Sequence, residues 1–218
     1  MKIHLLAVSI KHGGLCVAGV NIDTNEFVRL VTDDGNGSGP IDIKQFPFKP
    51  LDIIEVNIFG KAPYNGAQTE NYFIADYNMK LLGFDNRVET LNDYVDTKHI
   101  TPFGTRYASI KDDLYDNLNN SICLLKVSNM VLYNVQNQNG DFKPKISFDT
   151  IMSNGVVINH ERFSITEQRF YKMMKERNAN DVVPIGDGYL LISLGIKDMH
   201  YSYNQKYVSG IFILEDLS

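Results

Sequence analysis

Ile3-His-Leu-Leu-Ala-Val-Ser9, Leu15-Cys-Val-Ala-Gly-Val20 and Phe27-Val-Arg-Leu-Val31 are three apolar runs rich in strand formers, separated by Lys11-His12-Gly13-Gly14 and Asn21-Ile-Asp-Thr-Asn-Glu26. Loops this short can only turn a strand back onto its neighbour, so the stretch predicts a three-stranded antiparallel meander. A chain that opens this way points to an all-β barrel or sandwich rather than an α/β enzyme.

Working outward, Asp33-Asp-Gly-Asn-Gly-Ser-Gly-Pro40 cannot hold regular structure. In Leu51-Asp-Ile-Ile-Glu-Val-Asn-Ile-Phe59, Ile54, Val56 and Ile58 alternate with Glu55 and Asn57, which predicts a strand with one wet face. A second loop from Gly60 to Gln68 leads to Glu70–Asp76, the start of a fifth strand. Five strands with two long loops in about 80 residues suit a small Greek-key barrel. Residues 84–120 lose the period of two. Val88, Leu91 and Val95 fall at helical spacing, as do Ile110, Leu114 and Leu118, so a helical connector is expected there.

Strand signals resume with Ser121–Val127 and Val131–Val135, a hairpin turn at Asn137-Gln-Asn-Gly140, and alternating stretches at 142–148 and 155–165. Residues 166–177 contain neither Gly nor Pro and predict one longer helix, with Phe170, Met173 and Met174 on one side. Gly186-Asp-Gly188 reads as a hairpin-like turn, and two closing strands follow at 188–194 and 207–214. The organisation is therefore mainly β: a unit over 1–83, a connector over 84–120 and a second unit over 121–218.

At 218 residues the chain can bury about 70% of its unfolded surface. Its net charge is −5, with about −3 in residues 1–110 and about −2 beyond, so neither half is broadly attracted to a polyphosphate. That leaves room only for a local basic face. Cys16 and Cys123 both lie in apolar runs and read as small buried hydrophobes, with no disulfide or metal role. No leader-like or membrane-length apolar stretch is seen, so a cytoplasmic protein without a membrane partner is expected.

Several segments together resemble the dual OB-domain family of prokaryotic proteins. They are Leu5–Gly19, Glu26–Val31, Leu51–Val56 and Gln68-Thr-Glu-Asn71, then Leu190-Leu-Ile-Ser-Leu-Gly195 and Tyr207-Val-Ser-Gly-Ile211. The chain departs from that pattern at Phe27, where the family usually carries Trp, and at Leu30, where it carries Pro. The resemblance implies two OB-like antiparallel β-barrel units in tandem, with short connecting helices. It also implies a nucleic-acid or defence-related setting, and carries over no established reaction.

The candidate ligand-binding residues are Lys11, His12, Phe27, Arg29, Gln68, Glu70 and Asn71. Lys11 and His12 flank glycines that would let an anion approach the backbone; the plainer reading is a turn needing glycine. Arg29 shares a strand face with Phe27 and Val31, offering a surface to stack a base or pair a phosphate. The competing reading is an arginine paired with Asp23 or Asp33. Gln68, Glu70 and Asn71 offer directed donors and acceptors to a base edge, or else bond to loop backbone. Arg169, Lys172 and Lys175 are candidate phosphate contacts on the longer helix, or simply its solvated face.

His4, His12, His99, His160 and His200 include no pair at i, i+4, and no nucleophile elbow, phosphate loop or dinucleotide fingerprint occurs. No catalytic residue, cofactor or metal is expected, and an enzyme is the least supported class. The leading expectation is a non-catalytic binding module for single-stranded nucleic acid or a nucleotide-type ligand. The alternatives are a PUA-like reader of a modified base and a protein–protein interaction module of a defence-type operon.

Overall fold

The three opening runs form β1 (Lys2–Lys11), β2 (Gly14–Asn21) and β3 (Glu26–Val31), paired antiparallel in order. The computed structural model describes residues 1–218 apart from 12, 36, 64–66, 98–99, 138 and 196–202. The expected strand at 51–59 is interrupted at Val56 and Asn57 into β4 (Asp52–Glu55) and β5 (Ile58–Lys61). β4 pairs with β1, while β5 pairs with β6 (Asn71–Ile74), which lies parallel to β3. The bend therefore lets one stretch of chain serve both ends of the meander, and the sheet curls back toward its first strand. β7 (Lys80–Phe84) extends it beyond β4.

The second unit repeats this pairing order. β9 (Ile122–Gln136), β10 (Phe142–Ile151) and β11 (Val157–Ile165) form a meander. β12 (Val182–Leu194) pairs with β9 and with β13 (Tyr203–Ile213), and β13 runs parallel to β11, so the sheet is ring-like. The expected longer helix is α3 (Gln168–Lys175), inserted between the third and fourth strands of this unit. Two OB-like antiparallel β-barrel units were the expectation; the structure has two β units of OB-like strand order, the first a curled half-barrel and the second ring-like, each with one parallel pairing.

Two readings are corrected. The 84–120 segment holds α1 (Val88–Tyr94) and a four-residue α2 (Asp112–Tyr115), but Ile110 lies in a strand, β8 (Ser109–Lys111), added to β13. Gly186-Asp-Gly188 is no hairpin turn. It lies inside β12 at register shifts against β9, where the Asp187 carboxylate accepts the Asn129 N–H at 3.0 Å. A bulge there lets a long strand bend around the ring.

The period of two sorts side chains into three cores. Ile3, Leu5, Val17 and Leu30 fill the first unit, and Leu132, Ile146, Phe163, Ile192 and Val208 fill the second. Between the units lies a third cluster, including Leu6, Ala18, Val20, Leu124, Leu191 and Phe212. Leu191 and Ile192 are chain neighbours facing different cores, as alternation demands. Full burial of each large apolar side chain contributes roughly 1.5–3 kcal/mol, so this shared cluster is a strong joint. Gln168 Nε2, at the start of α3, adds a hydrogen bond to the Val8 carbonyl at 3.1 Å. Among the described residues, no helix is long and apolar enough to cross a membrane.

Inside the second unit His160 is fully buried and stacks on Phe148 at 4.7 Å. Its Nδ1 faces the Arg106 carbonyl at 3.2 Å, so Nδ1 carries the proton and Nε2 accepts from the Thr150 hydroxyl at 2.8 Å. Burial pulls the imidazole down to about 4 from its ordinary value of 6.5. Between those two values the unfolded chain binds the proton and the folded chain does not. Stability therefore falls as pH drops from about 6.5 toward 4, by about 3 kcal/mol in all. Urea midpoints at neutral and acid pH should show a shallower pH slope for His160→Gln than for wild type. Equal slopes would refute this.

Candidate functional site

β3 and β6 bring the sequence-predicted residues together. Their parallel pairing aligns Arg29 with Asn71, and the Arg29 N–H donates to the Glu70 carbonyl at 2.8 Å. The guanidinium lies 3.3 Å from the Glu70 carboxylate and donates to Ser121 Oγ at 2.9 Å and Asn71 Oδ1 at 3.4 Å. Glu70 also accepts from the Ser121 N–H at 3.2 Å and from the Ser121 hydroxyl. Asn71 Nδ2 donates to the Gly37 carbonyl at 3.0 Å and to Gln68 Oε1 at 3.3 Å. Gln68 Nε2 donates to the Leu194 carbonyl at 3.3 Å.

These groups form a buried polar network, not an open strand face. Arg29 is 3% exposed and Glu70 5%. The arginine's partner is neither Asp23 nor Asp33 but Glu70, and Ser121 ties the pair to the second unit. One donor of this network is unused: Arg29 Nε is buried without a hydrogen-bond partner.

That arginine borders a cleft of about 560 Å³ between the units. The first unit supplies Ser9, Lys11 and Cys16, with Arg29 and Gln68; the second supplies Thr166, Ser193 and Tyr207. Lys11 is half-buried and its ammonium donates to the Ser38 carbonyl. Burial lowers its pKa first of all; Cys16 opposes this, Arg29 adds to it and Asp34 opposes it. A cation held partly out of water is strengthened toward any anion that enters. Cys123 is buried as expected, whereas Cys16 is partly exposed as a free thiol in the cleft.

His12 is outside the described residues, as is Gln138 of the turn at 137–140. Phe27 is half-buried against the shared core between the units. Arg169, Lys172 and Lys175 are exposed on α3. Arg169 pairs with Asp216 at 3.4 Å and borders a second cleft of about 500 Å³, and Lys175 donates to the Phe142 carbonyl at 2.6 Å. None of the three lines the cleft that holds Lys11. Sequence reasoning missed Ser121, Ser193, Thr166 and Tyr207. Each belongs to the second unit, and nothing local marks a residue that faces another unit.

The chain matches the family model described as "Dual OB-containing domain" over residues 1–211. No curated protein and no solved structure matches it.

Proposed function

We propose that this chain, which belongs to the dual OB-containing domain family, is a non-catalytic module that holds single-stranded nucleic acid or a nucleotide-type ligand between its units. The observation that carries this reading is the cleft itself, where the half-buried Lys11 stands with Arg29 and Tyr207 among the residues of both units that line it. The Lys11 ammonium favours an anion, the aromatic ring suits a base, and Ser193 offers a directed hydrogen bond. OB-like sheets are common platforms for such ligands, which supports the reading by analogy. A cleft of this volume suits a ligand of nucleotide size.

Among the described residues, Tyr207 is the one aromatic side chain lining this cleft, which gives little support to a deep socket for a flipped, modified base. A protein-interaction module has a specific observation in its favour. β7 ends its sheet and leaves Leu81, Leu82 and Phe84 largely exposed.

Lys11→Met should weaken ligand binding about tenfold or more, the scale of one lost charge-assisted hydrogen bond. Fluorescence anisotropy with short DNA and RNA oligomers, and thermal shifts with a nucleotide panel, measure it. Unchanged affinity in the variant would remove Lys11 from the site. No response to any oligomer or nucleotide, at low or physiological salt, would favour the protein-partner reading.

A further inference from the structure

The outer face of the second unit continues from this cleft in strict register. Ser193 and Tyr207 line the cleft and pair across β12 and β13. Tyr207 is in turn opposite Ser164 on β11, Ser164 opposite Lys145 on β10, and Lys145 opposite Tyr133 on β9. Their strand neighbours Val208, Ile165, Phe163, Ile146 and Leu132 are buried in the second core, so the row itself faces outward. Three strand spacings separate Tyr207 from Tyr133, about 14 Å.

The row is basic in an otherwise acidic chain. Lys143 is exposed two residues before Lys145, on the same face of β10. Arg162 is exposed at a register shift of β11, in a left-handed conformation (φ 63°) that non-glycine side chains seldom adopt. Its N–H donates to the Tyr133 hydroxyl at 2.9 Å, and Lys145 Nζ donates to Ser164 Oγ at 2.7 Å. The bulge thus fixes a tyrosine and aims an arginine beside it. Lys145 has its pKa lowered by burial first and then by Lys143 and Arg162, which shows three cations gathered together. Glu161, next to Arg162 on β11, is an acid that acts on Tyr133. Aromatic rings alternating with cations along a sheet surface are what an unpaired polynucleotide requires: stacking faces for bases and charge for the phosphates between them.

We infer that Tyr207, Ser164, Lys145 and Tyr133, flanked by Lys143 and Arg162, form a track that leads a single-stranded polynucleotide out of the cleft. The inference rests on the proposed function and narrows it: the ligand is a polymer, and a free nucleotide occupies only one end of its site.

The test compares a mononucleotide, a four-mer and a twelve-mer, in single-stranded DNA and RNA, by anisotropy and competition. The proteins are wild type, Lys11→Met and the double variant Lys143→Glu/Arg162→Gly. Glycine accepts the backbone at 162, and a thermal melt checks that the double variant is folded. Wild type should bind the twelve-mer at least about tenfold more tightly than the mononucleotide. The double variant should lose that gain, bind the mononucleotide within about twofold of wild type and show a shallower salt slope. Length-independent affinity, or a gain that survives in the double variant, overturns the track. If Lys11→Met still abolishes mononucleotide binding in that case, the cleft reading stands without the track. If instead Lys11→Met changes nothing while the double variant loses the gain, the track stands and the cleft reading falls. Binding of no probe overturns both.

Discussion

Glu70→Ala should lower the melting temperature by about 10 °C. The substitution leaves the buried Arg29 guanidinium inside the joint between the units without its carboxylate. Breaking one side of a buried pair typically costs about 3–5 kcal/mol, and a chain of this size loses roughly 2–4 °C per kcal/mol. Glu70→Gln should cost less, since an amide oxygen still accepts from the Ser121 N–H. Arg29→Met combined with Glu70→Leu should recover much of the loss, because it removes both charges and keeps the volume. A Glu70→Ala protein melting within about 2 °C of wild type would show that the pair does not clamp the units.

Gly210→Val should be at least as damaging, by a steric route. A Cβ at Gly210 would sit 2.3 Å from the Leu6 carbonyl oxygen, bringing β13 of one unit against the backbone of β1 in the other. Neither is a flexible side chain that can swing away. Relief must come from prising the strands apart, which opens the shared core around Leu6, Leu191 and Phe212. The expected result is a loss of roughly 3 kcal/mol or more, with rapid proteolysis in the native buffer. Gly60→Ala and Gly83→Ala, where nothing lies within 4 Å, are the controls and should leave the melt nearly unchanged. A Gly210→Val protein as stable and protease-resistant as the controls would refute the tight approach.

The pattern of what was legible in the sequence follows from range. β1 to β3 could be read because short turns force neighbours to pair, and so could α3, whose Phe170 and Met174 share its buried side. β7 could not, because Lys80, Leu81, Leu82 and Phe84 are all exposed and leave no alternation to detect. Gly186 and Gly188 imitate a turn locally, and only the continuing ladder with β9 makes them a bulge. At the site, Arg29 stood out as a charge in an apolar run, and Gln68, Glu70 and Asn71 as a polar cluster. Their mutual contact depends on the parallel pairing of β3 with β6, which no spacing encodes. Local acids were the natural candidates for the arginine's partner, yet topology supplies a distant one. Ser121 and Tyr207 reach the site through the packing of one unit on the other. The track on β9 to β11 was hidden by the same arithmetic that made the whole chain acidic, since net charge averages away a local cluster of three cations.

The shared core also sets an order of events while the chain is being made. Leu6, Ala18 and Val20 leave the ribosome long before their partners Tyr189, Leu191 and Phe212 are made. At about 5–20 residues per second, synthesis of the intervening stretch takes on the order of ten seconds or longer. Throughout that interval the first unit can complete its own interior while the outward apolar face of β1 and β2 stays wet. Contacts so distant in sequence are the slowest to form and leave a sticky surface uncovered meanwhile. The joint that makes the finished molecule sturdy is thus, on the nascent chain, an apolar face waiting for the strands that will cover it.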